Sequence, residues 1–354
     1  MKIHFVIPSL IGGGAERVMS TIANGLVNKH EVELITFHEG QDYVLDKKIN
    51  RIMLHHGKQK NQTIRSVKNL FFYYKQKKKR PDVLISFLPS NNLTAILIAK
   101  FYSIKLIISE HTNHTAPSTR KKDIIRKYFY RFADITTVLT DFDKSFYENF
   151  KAKVIVMPNP LIIPKEIKSY VNRKKNILVV GSLNRYQNKG FDQILHISAP
   201  VLKKNKEWKL VFAGDGEHGL EILTKIAKEL KIQDQVEFLG FVKSINSIMQ
   251  DSQIFALPSK FEGLPMGLME ALSNGMACIS YNCKSGPSEL IDNNKNGLLI
   301  ADQDSKAMQK GLELLINDYE LRLKLASKSR ESISKYGLDT ILDKWENLVL
   351  SLNQ

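Results

Sequence analysis

The chain has 354 residues, 43% of them hydrophobic, 25% charged and 9% aromatic; it is too long for a single stapled module and too apolar for extended disorder, and its length favours two compact units. Lysine and arginine number 52 against 36 acidic residues, a net charge of +16, and the excess is lopsided: residues 1–165 carry 27 basic and 13 acidic side chains, residues 166–354 carry 25 and 23. That asymmetry points the first half at something anionic, and with only two cysteines a disulfide framework or a zinc cluster is excluded.

In chain order, residues 3–7 predict a first strand. The apolar run 1–11 lacks a cleavage pattern and ends in Gly12-Gly13-Gly14, so it reads as a strand and not as an export signal. The loop Pro8-Ser9-Leu10-Ile11-Gly12-Gly13-Gly14-Ala15-Glu16-Arg17 differs from the dinucleotide fingerprint, because Arg17 stands where the third glycine should pack; a tight strand-to-helix turn explains the glycines equally well. A second strand is predicted at 32–37. Residues 61–80 then place Ile64, Val67, Leu70, Phe71 and Tyr74 at helical spacing among Arg65, Lys68, Lys75 and the run Lys77-Lys78-Lys79-Arg80. Strands follow at 83–87 and 106–109. The most apolar longer stretch, 93–109, is broken by Lys100 and Lys105 and falls short of the roughly 18–20 apolar residues of a spanning helix.

Just beyond that strand, Ser109-Glu110-His111-Thr112-Asn113 sets a histidine past a strand end. Residues 118–131 repeat the basic and aromatic mixture, with Arg120, Lys121, Lys122, Arg126, Lys127 and Arg131 beside Tyr128, Phe129 and Tyr130. Both stretches suit an anionic bilayer surface, at about 1 kcal/mol per suitably placed charge; a solvated helix face is the plainer alternative. Strands at 135–139 and 154–157 close the first series. Between them, Asp141-Phe142-Asp143 reads as the Asp-x-Asp of metal-dependent transferases, but it precedes a helical stretch, where aspartates cap.

Met157-Pro158-Asn159-Pro160, Pro164 and a polar stretch to Lys175 read as a linker. Strands recur at 177–180, 209–213, 236–239, 254–257 and 278–281. Such alternation predicts two doubly wound, Rossmann-like α/β units over 1–165 and 166–337, with a helix at about 338–354 packing back on the first. Ligands of such sheets bind beyond the carboxyl ends of the strands. The loop Val180-Gly181-Ser182-Leu183-Asn184-Arg185-Tyr186-Gln187-Asn188-Lys189-Gly190-Phe191 is one such place. Another is Phe261-Glu262-Gly263-Leu264-Pro265-Met266-Gly267-Leu268-Met269-Glu270-Ala271-Leu272, where a helix begins near Pro265 and stops at Asn274-Gly275. Its free amides and positive end would hold a phosphate, with Gly263 and Gly267 letting the backbone come close. Taken singly, Glu262 is also explained as an N-terminal helix acid and Glu270 as a solvated side chain. Cys278 and Cys283 read as buried thiols, and Asp302-Gln303-Asp304 as a second helix cap.

The 261–272 segment resembles the Glu-x7-Glu motif of the retaining, nucleotide-sugar-dependent glycosyltransferases of family four, which have the GT-B fold of two Rossmann-like domains facing a central cleft, and the resemblance covers essentially the whole chain. It implies that Glu262 lies beside the donor sugar, that Glu270 binds the ribose hydroxyls, and that Gly263, Leu264, Pro265 and Met266 approach the sugar and its diphosphate. In the 180–191 loop Lys189 matches a lysine that grips the diphosphate. The family arginine that belongs directly after the glycine is Ser182 here, so Arg185 is either its substitute or an ordinary surface arginine. Two cations would neutralise charge on the departing diphosphate. Gly13 and Gly14 lie in a stretch that looks like the family's Gly-Gly-Ala-Glu-Arg loop near the donor phosphates and acceptor. His111 matches a histidine that bonds the donor sugar, and the backbone around Gly240, Phe241 and Val242 is where a nucleobase would be held.

Ile85-Ser86-Phe87-Leu88 and Ser109-Glu110-His111 are similar to bacterial members that extend lipid-linked oligosaccharides. The resemblance therefore implies a retaining transferase moving a hexose or N-acetylhexosamine from a UDP-sugar to a glycan acceptor linked to polyprenyl diphosphate. It would need no cofactor and no essential metal, bind no nucleic acid, and work in the cytoplasm as a peripheral protein on the inner face of the plasma membrane. Two rivals differ in what would reveal them. A nucleotide-sugar epimerase of the same fold would turn over without acceptor; a basic nucleic-acid-binding protein is suggested by charge alone and lacks a recognisable binding module.

Overall fold

Short runs of Val, Ile, Leu and Phe become strands covered on both faces, as parallel sheets require. In the computed structural model, which describes residues 1–41, 43–55 and 61–353, seven of them form one sheet. These are β1 (Lys2–Ile7), β2 (Glu31–Thr36), β3 (Asn50–Met53), β4 (Val83–Phe87), β5 (Lys105–Ser109), β6 (Ile135–Val138) and β7 (Val154–Val156), in the order β3-β2-β1-β4-β5-β6-β7 and parallel throughout. Helices α1 (Gly14–Leu26), α2 (Gln62–Lys75), α3 (Pro89–Tyr102), α4 (Arg120–Ile124) and α5 (Asp141–Asn149) connect them.

The second sheet comprises β8 (Lys174–Val180), β9 (Lys209–Ala213), β10 (Val236–Phe238), β11 (Ser252–Leu257), β12 (Ala277–Tyr281) and β13 (Leu298–Ile300), in the order β10-β9-β8-β11-β12-β13. Its helices are α6 (Tyr186–Lys189), α7 (Phe191–Lys204), α8 (Glu217–Glu229), α9 (Ile245–Asp251), α10 (Met266–Ser273), α11 (Pro287–Leu290), α12 (Ser305–Asn317) and α13 (Tyr319–Ser332); α14 (Leu338–Ser351) ends the chain. Both sheets reverse strand order beside their first strand, between β1 and β4 and between β8 and β11. A crevice opens at such a point, beyond the carboxyl ends.

The units are Met1–Pro160 with Leu338–Gln354, and Leu161–Gly337. The boundary thus lies before the expected 165/166, and the proposed linker is not free chain. Leu161 bridges Gly337 and its N–H donates to Tyr336 O, while Arg330 reaches the carbonyls of Pro164 and Lys165. Further on, Tyr170 Oη donates to Gln253 O, and the Arg173 guanidinium donates to the carbonyls of Asn274 and Gly275. These bonds tie residues 161–173 to the second unit before β8 begins. In the first unit, α14 lies against α1: a Cβ on Gly25 would meet Leu342 Cδ1 at 2.3 Å, Lys29 bonds Glu346, and Trp345 stacks near Phe87 at 6.3 Å.

Of the four edge strands, β3 and β13 carry no sequence signal strong enough to predict them. The polar β3 is held by Arg51, whose guanidinium donates to Thr36 Oγ1 and to the carbonyls of His38 and Gly40. Of the two Asp-x-Asp runs, Asp304 caps α12 by accepting from Ala307 N at 2.9 Å. Asp143 does not cap: it is buried in the first turn of α5 and accepts from His114 N and Nδ1 at 2.8 and 2.7 Å, while Thr140 stands at the cap position. Cys278 and Cys283 are free and buried, and burial pushes the Cys283 thiol up to about 12. Among the described residues no helix is long and apolar enough to cross a membrane.

Candidate functional site

Two loops leave the second sheet at its reversal point, one after β8 and one after β11, and they touch. Lys260 N donates to Asn188 O at 2.9 Å, and a Cβ on Gly190 would stand 2.0 Å from Pro258 O, so that position, with φ +67°, needs glycine. Gly190 ends the short helix α6 and separates Lys189 from α7. Lys189 Nζ donates to Glu262 Oε1 at 2.8 Å; the lysine side chain is 21% exposed and the glutamate 10%. The aliphatic stem of Lys189 lies over Gly181, with Cε 3.3 Å from where a Cβ would be. Two residues from separate loops thus form one half-buried ion pair.

Beyond Glu262 the loop is clamped by the segment after β12. Gly286 N donates to Gly263 O at 2.7 Å, and a Cβ on Gly286 would come within 2.2 Å of that oxygen. Leu264 is buried, Pro265 occupies the cap position and Met266 opens α10. A helix start leaves amides without intrahelical partners. A Cβ on Gly267 would make ordinary contact with Phe255 Cζ at 3.4 Å and Val180 Cβ at 3.8 Å, so α10 settles on the sheet there. Glu270 follows in the same helix with only 4% of its surface exposed, which removes the solvated alternative.

Arg185 is exposed at the end of a turn spanning Leu183–Arg185, and Ser182 is exposed beside Gly181. Neither joins the Lys189–Glu262 pair. After β10, Gly240 has φ +66° and its carbonyl accepts from Gly214 N at 2.9 Å; Phe241 is 72% exposed and Val242 half-buried. The sequence reading passed over Gly214-Asp215-Gly216, directly after β9. A Cβ on Gly214 would stand 1.9 Å from Gly181 O, and Leu183 N donates to Asp215 O at 2.8 Å, so this loop supports the one carrying Lys189. The signal available was a Gly-x-Gly immediately following a strand.

In the first unit, Gly13 and Gly14 start α1 at the carboxyl end of β1, where Tyr43 Oη donates to Gly13 O at 2.9 Å. His111 follows β5. Its ring lies tilted against Phe87 with centroids 4.3 Å apart, and Nε2 lies 3.1 Å from Ser109 Oγ, which in turn accepts from Thr137 Oγ1 at 2.8 Å. Burial lowers the imidazole to about 3, so His111 is neutral in ordinary buffers. Among the described residues no three His, Cys, Asp or Glu side chains gather as a metal ligand set.

Comparison with known proteins follows the same division of the chain. Residues 12–162 match the family model described as Glycosyltransferase Family 4, and residues 163–332 match Glycosyl transferases group 1. The chain is 33% identical, over 99% of its length and 98% of the relative, to the GalNAc-alpha-(1->4)-GalNAc-alpha-(1->3)-diNAcBac-PP-undecaprenol alpha-1,4-N-acetyl-D-galactosaminyltransferase of Campylobacter jejuni. It is 23% identical, over 82% of its length and 80% of the relative, to the UDP-Gal:alpha-D-GlcNAc-diphosphoundecaprenol alpha-1,3-galactosyltransferase of Escherichia coli. Among solved structures, sucrose-phosphate synthase from Thermosynechococcus elongatus superposes with a TM-score of 0.85 at 14% identity, covering 99% of this chain and 98% of that one.

Proposed function

The chain belongs to the glycosyltransferases of group 1 and family 4, with the GT-B fold, and from that premise we propose that it moves a hexose or N-acetylhexosamine from a UDP-sugar to a saccharide carried on polyprenyl diphosphate, with retention at the anomeric carbon. The observation that carries this reading is the Lys189–Glu262 pair, 2.8 Å long, set beside the start of α10 where the second sheet reverses. A diphosphate arriving there would compete with Glu262 for the ammonium group. The pair would part, leaving Lys189 on the leaving phosphate and Glu262 facing the sugar.

In this mechanism the bond between the anomeric carbon and the diphosphate oxygen breaks while the acceptor hydroxyl attacks on the face being vacated. The acceptor proton passes to the departing phosphate, so no protein nucleophile is needed and the product is α-linked. Lys189, Arg185 and the first amides of α10 would stabilise the charge that develops on the leaving group, without a divalent ion. Glu262 would stabilise the positive sugar-like transition state. Glu270 would take the ribose hydroxyls, the backbone at Phe241 and Val242 the base, and neutral His111 a donor-sugar hydroxyl, with Gly13 and Gly14 near the phosphates.

The acceptor class is proposed from the Campylobacter and Escherichia relatives, whose names specify undecaprenol-linked substrates. It agrees with the basic, partly apolar faces of the first unit, where Phe72, Phe101, Tyr128 and Phe132 are exposed amid lysine and arginine. Such faces would hold the protein against an anionic membrane. The reading is tested with a panel of nucleotide sugars in calorimetry, followed by mass spectrometry of a lipid-linked product with and without a chelator. UDP binding and one added hexose or N-acetylhexosamine in both conditions are expected. Turnover of the sugar nucleotide without acceptor would indicate epimerisation, and loss of transfer on chelation would overturn the metal-free mechanism.

A further inference from the structure

Two buried hydroxyls that the transferase reading does not use stand behind the ring of His111. Ser109 ends β5 and Thr137 is its register partner on β6, so both side chains leave the sheet on one face. Thr137 Oγ1 donates to Ser109 Oγ at 2.8 Å, and Ser109 Oγ stands 3.1 Å from His111 Nε2. Thr137 is fully buried and Ser109 is 2% exposed. Apolar residues would fill that layer with no polar groups to satisfy, and buried hydroxyls cost stability unless they are bonded. Here the bonds run in one line and end on the imidazole.

The backbone on either side of His111 is fixed by other groups. Glu110, itself buried, accepts from Arg126 Nε at 2.9 Å and from Tyr130 Oη at 3.0 Å. Asn113 Oδ1 accepts from Thr115 N at 3.0 Å, and Asp143 Oδ1 from His114 N at 2.8 Å. The loop therefore keeps its course without the two hydroxyls, and what they control is the ring. Phe87 packs against that ring and confines it. The last torsion of a histidine is roughly two-fold, so a confined imidazole has two orientations half a turn apart. One of them brings Nε2 to Ser109. Among the described residues the other nitrogen, Nδ1, has no partner.

A neutral imidazole has one donor and one acceptor, and the bond made by one nitrogen sets which of the two carries the proton. Ser109 Oγ already accepts from Thr137, so its own hydrogen can turn to Nε2. We propose that Ser109, oriented by Thr137, is a positioning residue for glycosyl transfer: it holds His111 with Nε2 accepting and the proton on Nδ1, so that Nδ1–H meets a hydroxyl of the donor sugar. The proposal rests on the transferase reading above. It goes further in assigning the nitrogen that faces the sugar and the groups that select it. With the opposite tautomer the ring would offer the sugar an acceptor in place of a donor.

The test is nitrogen-15 NMR of the full chain labelled in histidine, at neutral pH, with the His111 signals identified by their loss in His111→Gln. The wild type should show Nδ1 protonated and Nε2 bare. Ser109→Ala should move the proton to Nε2, the tautomer that histidine favours in water. It should also lower kcat in the lipid-linked assay by about tenfold, the worth of one well-placed hydrogen bond, with UDP affinity unchanged. Because Ser109 is buried, a second pair of variants carries the same test without leaving a gap. Thr137→Val has the native shape without the hydroxyl and should shift the same signals part of the way. Thr137→Ser keeps the hydroxyl and should restore both spectrum and turnover. A wild-type His111 protonated on Nε2, or a Ser109→Ala protein that transfers sugar at the wild-type rate, overturns the proposal. Lost turnover in Ser109→Ala with an unchanged His111 spectrum would reduce the serine to packing and overturn it too. A wild type that makes no lipid-linked product yet keeps the Ser109-dependent tautomer would instead sink the transferase reading and leave the hold on the ring standing.

Discussion

The two sheets share an order around β1 and β8, yet their reversal points are furnished differently. In the second unit a lysine and a glutamate from two loops face each other as a half-buried pair. In the first, the corresponding arginine and glutamate are almost wholly buried and share a network with Tyr130. Strand order therefore sets where a crevice forms, and the burial of the charges beside it decides whether they can rearrange. Buried pairs are costly to break; the more exposed Lys189–Glu262 pair is the one we propose to exchange partners.

The strongest way to break this contrast is to remove the exchangeable charge. Lys189→Ala should lower kcat by about 10²–10³-fold, the usual loss when one fixed donor to developing charge is deleted. Thermal melting should fall little, since a partly exposed pair contributes about 1 kcal/mol or less. Glu262→Gln should behave alike, and normal turnover in either folded variant would remove that residue from the mechanism.

Acid should separate the units next. Burial holds both His4 and His111 at about 3, against 6.5 for the free side chain, and His30 and His38 are also lowered, chiefly by desolvation. All four lie in the first unit. Each of the two strongly shifted imidazoles stays neutral when folded but gains a proton when unfolded. Stability is therefore whole above pH 6.5 and is lost as pH falls toward 3, by about 1.4 kcal/mol per pH unit for each. Trp345 reports on the first unit and Trp208 on the second. Fluorescence of Trp208→Phe and Trp345→Phe proteins should show the Trp345 environment failing first on acidification; failure of Trp208 first would refute the assignment.

A smaller effect concerns Glu270. A charged hydrogen bond contributes about 1.5–3 kcal/mol, so 2′-deoxy-UDP should bind at least tenfold more weakly than UDP, and Glu270→Gln should shrink that gap. An undiminished gap would place the ribose elsewhere. Smallest of all, Lys127→Gln should reduce binding to phosphatidylglycerol-containing vesicles by about fivefold, the worth of one surface charge, without altering UDP affinity.

The central strands were legible because short, mostly apolar runs such as 83–87 and 210–213 have no other buried use. β3 was not, since Asn50 and Arg51 look like loop until Arg51 finds its carbonyl acceptors across residues far apart in sequence. At the site, Glu262 and Lys189 were singled out by their resemblance to family motifs. Their direct contact was not, because it depends on Gly190 lying against Pro258 O, a long-range fit that no local pattern encodes. Asp143 looked like a cap because its partner, His114, comes from a different loop.

The return of α14 to the first unit has a consequence for biosynthesis. Trp345 and Leu342 complete the packing around Phe87 and Gly25, so the elements of the first unit that precede Leu161 must wait for α14 before their hydrophobic interior closes. The intervening segment, Leu161–Gly337, is contiguous and can mature while translation continues. Assembly order is then the reverse of the order in which the two units begin, and a nascent chain halted near Gly337 would display an open apolar seam for chaperones to cover.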